Sequence, residues 1–134
     1  MRFWLMKSEP SAYAFAQLLK DKRTSWSGVR NHQANNNMKA MRVGDQAFFY
    51  HSNEERAIIG LMKIVRPWQL DPSDESRKFG MVDVAPLYAL KHPVPLASLK
   101  AHPVLASMVF VRQGRLSVSP VSEVEASEIL ALGK

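Results

Sequence analysis

The sequence contains no cysteine among its 134 residues. This absence excludes a disulfide framework and any metal site built on thiolates. The histidines do not replace the missing thiols, because no two of them have a ligand spacing such as His-x-x-x-His. We therefore expect neither a metal ion nor another cofactor. The four histidines are His32, His51, His92 and His102.

The sequence also lacks long apolar runs. None approaches the roughly 20 residues that a membrane-spanning helix needs. The apolar stretch at residues 1–7 is too short for a signal peptide and is typical of a buried strand. These two features predict a cytoplasmic protein with no membrane partner.

Acidic residues are scarce in the first half of the chain. Residues 1–66 hold 11 Lys and Arg against 5 Asp and Glu, whereas residues 67–134 hold 7 of each kind. The net charge of +6 therefore lies wholly in the first half. Such a one-sided basic balance favours an anionic partner, with nucleic acid as the first candidate. A solvated surface that happens to be basic is the alternative.

Turn and capping signals divide the chain into short strands and short helices. The predicted strands are residues 2–7, 46–51, 57–65, 79–90, 108–112 and 116–118. The predicted helices are residues 11–20, 34–42, 95–100, 103–107 and 122–132, and a capping box of Ser122 and Glu125 opens the last one. Gly60 predicts a bulge or a close backbone approach within its strand. Without βαβ alternation, this mixture predicts one α+β domain over residues 1–134, built on a curved or barrel-like sheet.

Residues 25–37 combine one tryptophan, one arginine and one histidine with five side-chain amides. Trp26 lies among the small residues Ser25, Ser27 and Gly28, which predicts a ring accessible for stacking on a base. A core tryptophan that anchors the loop is an equally weighted alternative. The amides match the donor and acceptor pattern of base edges. Helix caps and turns use the same residue types, however, so the amides stay unassigned.

Polar residues follow two of the predicted strands. Lys7, Ser8 and Glu9 end the first strand, and His51 and Ser52 end the second. Lys7, Glu9 and His51 have the chemistry of an acid–base set. No nucleophile elbow surrounds Ser8, however, and no glycine loop of the phosphate-binding type occurs. A binding module is therefore the leading interpretation. A small enzyme acting on nucleotides or nucleic acid is the first alternative, and a scaffold that binds a protein through its basic face is another.

Seven motifs follow one another along nearly the whole chain. They are Trp4–Pro10, Trp26–Asn31, Gly44–Asp45, Phe48–Asn53, Asp71–Pro72, Met81–Val84 and Arg115–Val121. In this order they resemble the EVE domain family. The resemblance implies a PUA-like fold, in which a twisted, barrel-like sheet is surrounded by helices, related to the YTH readers of methylated RNA.

The resemblance also implies a function. It suggests a non-catalytic reader of a modified base in DNA or RNA, such as 5-methylcytosine, 5-hydroxymethylcytosine or N6-methyladenine. The partner is then nucleic acid, and an effector such as a nuclease would be encoded separately.

The same resemblance implies a base pocket with an aromatic wall. Trp26-Ser27 matches the Trp-Ser pair of the YTH cage. Lys7-Ser8 matches the Lys-Ser pair that borders the YTH pocket. By this match, Glu9 and Tyr13 are expected to lie next to the pocket. The chain departs from the family pattern at residues 69–70 and at Phe79. The candidates for a second wall of the pocket are therefore Trp68 and Phe79. The full set of expected binding residues is Lys7, Ser8, Glu9, Tyr13, Trp26, Ser27, Arg30, Asn31, Gln33, His51, Ser52, Trp68, Phe79 and Arg115.

Overall fold

Six strands form one mixed sheet in the computed structural model, which describes residues 1–134. The strands are β1 (Phe3–Ser8), β2 (Thr24–Ser25), β3 (Gln46–His51), β4 (Ala57–Leu70), β5 (Gly80–Pro95) and β6 (Val118–Val121). Their order across the sheet is β2-β5-β4-β3-β1-β6. Only β1 and β3 run parallel, and the other neighbouring pairs are antiparallel. The predicted α+β class is confirmed.

Five short α-helices and one 3-10 turn at Leu105–Ser107 surround the sheet. The predicted capping box is present, because Ser122 and Glu125 each accept the other's backbone N–H through their side chains. None of the helices has the length and apolar character needed to cross a bilayer. The helices are α1 (Phe15–Asp21), α2 (His32–Ala40), α3 (Leu96–Ala101), α4 (Val109–Arg112) and α5 (Glu123–Leu132).

The predicted bounds of several elements differ from the observed ones, and three of these differences have a clear physical reason. The apolar run at 108–112 was predicted as a strand but contains α4, because an apolar run this short does not distinguish a strand from a buried helical turn. Helix α1 begins after Ala14 and not after Ser11, since the backbone first turns through hydrogen bonds to the carbonyl of Glu9. Strand β4 continues past Pro67, where a register shift against β5 leaves room for a residue without an N–H.

Side chains alternate between the two faces of the sheet, and each face has its own core. Trp4 on β1 and Phe49 on β3 belong to a first core, which also holds residues of α1 and α2. Their sequence neighbours Leu5 and Phe48 belong to a second core, which contains residues of α3, α4 and α5. This period of two is the normal geometry of a strand. It means that adjacent residues at a strand end reach opposite sides of the sheet.

Gly60 places α1 against the sheet. A Cβ atom at this position would overlap the Phe15 ring, and the pairing of β4 with β5 shifts register between Ile58 and Gly60. Both the predicted bulge and the predicted close approach therefore occur. The backbone N–H of Phe15 also donates to Nε2 of His51, at 3.1 Å. Together these contacts hold the start of α1 over the carboxyl end of β3.

Candidate functional site

A cavity of about 360 Å³ lies at the carboxyl end of β1. Its walls come from the end of this strand, from the turn before α1, and from β2 with the residues that follow it. We call it the first cavity. It is lined by Lys7, Ser8, Glu9, Ala12, Tyr13, Thr24, Ser25, Trp26 and Ser27. Six of these nine residues belong to the set expected from the sequence, so the structure brings that part of the set together.

Trp26 lies deeper than expected. Its side chain is only 8% exposed and belongs to the first core, where its ring meets that of Phe49 edge-on with centroids 5.4 Å apart. Its backbone N–H donates to the carbonyl of Val82 at 2.8 Å, which continues the pairing of β2 with β5. The expectation of an accessible ring is corrected: small sequence neighbours do not keep a ring open when the domain interior covers it. The part that remains uncovered belongs to the cavity wall.

Tyr13 is the other aromatic residue of the first cavity. Its carbonyl accepts a hydrogen bond from the Ser8 hydroxyl at 2.6 Å, and its own hydroxyl donates to Asp21 at 2.8 Å. Burial and the neighbouring Asp21 carboxylate raise the pKa of Tyr13 above its usual value. The phenol is therefore neutral at physiological pH. These bonds fix Tyr13 on the side of the cavity formed by the turn before α1.

Trp68 and Phe79, the two expected candidates for a second wall, do not line the first cavity. The indole N–H of Trp68 donates to the buried Asn35 side chain at 2.8 Å. The ring of Phe79 packs against that of His32, with centroids 4.9 Å apart. Both side chains are thus used in packing against α2. Tyr13 is instead the second aromatic residue that lines this cavity.

Asp71 holds the loop that follows Trp26. Its buried carboxylate accepts the backbone N–H of Gly28 at 2.8 Å, the Arg30 guanidinium at 3.2 Å, and both the N–H and the hydroxyl of Ser73. Gly28 has a φ of +85°, a conformation that glycine adopts without strain. Burial alone would raise the pKa of Asp71, but these hydrogen bonds outweigh it and lower the pKa to about 2. The Asp71 carboxylate therefore positions the Trp26 loop in its charged form.

Acidification is expected to release this loop. The folded pKa of Asp71, about 2, lies below the unfolded value of roughly 3.9, so its stabilising contribution is complete above pH 4 and lost as the pH falls through 2. Asp71→Asn should be less stable than the wild type at pH 7 and should lose less stability between pH 4 and 2. Urea unfolding of both proteins across this interval measures the difference. Parallel stability profiles would contradict the role given to the carboxylate.

The family model of the EVE domain matches residues 2–132. The chain belongs to the EVE domain family. Human thymocyte nuclear protein 1 is 37% identical over 164 aligned positions, which cover 96% of this chain and 72% of that protein. The family expected from the ordered motifs is thereby confirmed.

Solved structures agree with this assignment. An NMR structure of a Rhodopseudomonas palustris protein superposes with a TM-score of 0.94 at 44% identity and covers 99% of this chain and 93% of that one. A crystal structure of human THYN1 protein in complex with 5-methylcytosine-containing DNA superposes with a TM-score of 0.90 at 37% identity. That match covers 100% of this chain and 98% of the human one. The expected PUA-like architecture is confirmed by these matches.

The amides of this EVE domain have mainly structural partners. The Asn31 side chain caps α2 by accepting the N–H of Ala34 at 2.9 Å. Asn35 is buried and accepts from Trp68 and from the backbone of Gly80, and Asn37 donates to the carbonyl of Val118 at 2.7 Å. Neither Arg30, Asn31 nor Gln33 lines the first cavity. Gln33 is exposed on α2 and available to a partner outside the cavity.

His51 is buried beneath the start of α1 and does not line the first cavity. Because its Nε2 accepts the N–H of Phe15, the proton of the neutral ring is assigned to Nδ1, which lies 3.2 Å from the Glu55 carboxylate. Lys7 and Glu9 do line the cavity, but no hydrogen bond joins either of them to His51. The three residues of the alternative acid–base set therefore do not converge.

The remaining expected residues lie outside the first cavity. Ser52 lines a second cavity that shares Lys7 with the first, and Arg115 is exposed beside Gly114. Three cavity residues, Ala12, Thr24 and Ser25, are absent from the expected set of binding residues. The sequence indicated Asp71 only through a family motif, although its Asp-Pro-Ser context is typical of a carboxylate that binds nearby backbone.

Proposed function

We propose that this EVE domain binds a single modified base of DNA, of the 5-methylcytosine type, in the first cavity and does not catalyse a reaction. One observation carries the proposal: Trp26 and Tyr13 share a polar cavity in a fold that matches human THYN1 protein, which was solved with 5-methylcytosine-containing DNA. Two aromatic side chains with polar groups between them have the chemistry to hold a flat, partly polar heterocycle.

The size of the first cavity suits one base. Its volume of about 360 Å³ lies near the lower end of the range of roughly 300–1,000 Å³ that small-molecule sites occupy. A base pair held in a duplex does not enter such a space. Binding to duplex DNA therefore requires the base to be flipped out, at a cost of a few kcal/mol. Single-stranded DNA avoids this cost.

The polar groups of the cavity suit cytosine. The exposed Glu9 carboxylate is an acceptor for an exocyclic amino group, the contact by which Glu reads cytosine N4. The hydroxyls of Thr24, Ser25 and Ser27 add further donors and acceptors. An added methyl group meets the uncovered part of Trp26 or the Tyr13 ring, where it leaves water. Base selection and methyl selection would thus use different parts of the cavity.

The positions of Lys7, Glu9 and His51 support binding over catalysis. A general base must lie within hydrogen-bond reach of the proton that it removes. His51 is buried and engaged by Phe15, whereas Lys7 donates to the carbonyl of Gly114. We therefore propose that this domain is a recognition module. It would act with a separately encoded effector, such as a nuclease.

The test is a set of titrations with otherwise identical oligonucleotides, with and without the modification. Burying a methyl group contributes roughly 0.8 kcal/mol, and close aromatic contacts add to it. Because each factor of ten takes about 1.4 kcal/mol, we expect discrimination of up to one or two orders of magnitude. The panel should hold 5-methylcytosine, 5-hydroxymethylcytosine and N6-methyladenine in duplex DNA, single-stranded DNA and RNA, at one salt concentration.

Two results would change the proposal. A ratio of one for every modification would remove it. A ratio above about a thousandfold exceeds what methyl burial supplies and requires a hydrogen bond specific to the modified base. Ser8, whose hydroxyl lies in the cavity wall, is then the first residue to replace.

A further inference from the structure

A second cavity of about 230 Å³ opens at the same end of the sheet as the first. Lys7 on β1 lies beside Tyr50 on the parallel strand β3. Tyr50 belongs to the second core, so the alternation of side chains turns this pair away from Trp26 and the first core. Lys7 nevertheless lines both cavities, which makes them neighbours. The second cavity is lined by Lys7, Tyr50, Ser52, Arg56, Leu96, Lys100, Phe110, Val111 and Gly114.

The second cavity is strongly basic. Lys7, Arg56 and Lys100 line it, whereas no Asp or Glu does. None of these three cations forms a salt bridge elsewhere in the protein. Lys7 donates one hydrogen bond to the carbonyl of Gly114, and Arg56 uses only its Nε, bonded to the carbonyl of Asn53 at 3.0 Å. The other protons of both groups are left for a ligand.

Tyr50 also lines this cavity. Tyr50 is 2% exposed, its ring packs edge-on against Phe110 with centroids 4.6 Å apart, and no hydrogen bond of the protein uses its hydroxyl. Although the ring is buried, the hydroxyl oxygen itself remains accessible, so it is free to donate to a ligand in the cavity. Ser52 supplies a second hydroxyl to the same cavity. Hydroxyl donors beside cations are the chemistry that binds phosphate oxygens.

We propose that the second cavity binds a backbone phosphate of the nucleotide whose base, or whose neighbour's base, lies in the first cavity. This inference rests on the proposed function of the first cavity. Lys7 stands between the two sites, so one nucleic-acid strand that crosses this end of the sheet reaches both. The apolar side chains of Leu96, Phe110 and Val111 lower the local polarity, which strengthens the attraction between the cations and the phosphate.

Lys100→Gln is the variant that tests this subsite. Lys100 is exposed in the last turn of α3, so its replacement should leave the fold intact. Loss of one phosphate contact on duplex DNA lowers the log–log salt slope by about 0.9 and weakens binding about eightfold near 0.1 M salt. The matched control is Lys91→Gln, which removes the same charge from an exposed position outside both cavities. The control should keep the wild-type affinity and slope, and Lys100→Gln should keep the wild-type ratio between modified and plain DNA.

A methylphosphonate scan locates the phosphate. Replacing each phosphate near the modified base in turn by a neutral methylphosphonate should weaken wild-type binding most at one position. Lys100→Gln should be insensitive at that same position and should respond normally at the others. Equal affinities and slopes for Lys100→Gln and Lys91→Gln, or an unchanged scan, would overturn the proposal.

Two further arms separate this inference from its alternatives. Inorganic phosphate at matched ionic strength should not displace the oligonucleotide. Displacement from the wild type but not from Lys100→Gln would assign the cavity to free phosphate and overturn the backbone assignment. If wild-type binding shows no preference for any modified base, the proposed function fails. If Lys100→Gln still weakens DNA binding in that case, Lys100 makes a general phosphate contact, and the proposed subsite is wrong.

Discussion

Trp26→Ala is expected to lower the free energy of unfolding by about 3–5 kcal/mol, the usual cost of removing a buried aromatic side chain. The ring is 8% exposed and packs against Phe49 in the first core, so its removal leaves a void next to β3. The same change removes one wall of the first cavity. Binding of the modified base should weaken by roughly 1–3 kcal/mol, the worth of one stacking contact.

Stability and binding must be measured separately for this variant. Urea unfolding gives the first quantity, and titration under conditions that keep the variant folded gives the second. Trp68→Ala is the matched control, since Trp68 packs on the same core but lies outside the cavity. It should lose stability while keeping the ratio between modified and plain DNA. If folded Trp68→Ala loses the preference for modified over plain DNA, Trp68 and not Tyr13 forms the second aromatic wall. If Trp26→Ala is as stable as the wild type, the Trp26 ring does not belong to the core.

Gly80→Ala is expected to destabilise the domain by about 3 kcal/mol, at the upper end of the usual range for overpacking. A Cβ atom there would overlap the Trp68 ring and lie 2.5 Å from the carbonyl oxygen of Gln69. The carbonyl belongs to the backbone of β4 and has little freedom to move. Displacing the Trp68 ring also breaks its hydrogen bond to Asn35.

Gly114→Ala provides the comparison for Gly80→Ala. A Cβ at Gly114 meets nothing within 4 Å, and its φ is not in the left-handed region. Thermal or urea unfolding should therefore show a large loss for Gly80→Ala and almost none for Gly114→Ala. Similar stabilities for the two variants would show that the Trp68 ring is not held against Gly80.

The strand ends were the most predictable part of the site. Lys7, Ser8 and Glu9 follow a clear apolar strand, and the family motifs pair them with Trp26 and Ser27. The structure brings all five into one cavity. Sequence spacing alone does not place residue 8 beside residue 26, because that proximity depends on the tertiary arrangement of β1, the turn before α1 and β2. The family resemblance predicted this proximity, which local sequence patterns do not encode.

The orientation of aromatic side chains was much less predictable. The directions of Trp26, Trp68 and Phe79 are decided by residues far away in the sequence. Phe49 packs against Trp26, Asn35 accepts a hydrogen bond from Trp68, and His32 packs on Phe79. The strand predicted at 108–112 failed for a related reason, since a short apolar run fits a buried helical turn as well.

The position of β1 in the sheet has a consequence for how the chain folds as it is synthesised. Both neighbours of β1 are distant in sequence, with β3 at Gln46–His51 and β6 at Val118–Val121. Contacts between such distant segments slow folding, because long loops must be closed first. On the ribosome, β1 must therefore remain unpaired on one side until β6 has emerged. During that interval the incomplete sheet presents the unpaired backbone groups of β1 to other chains.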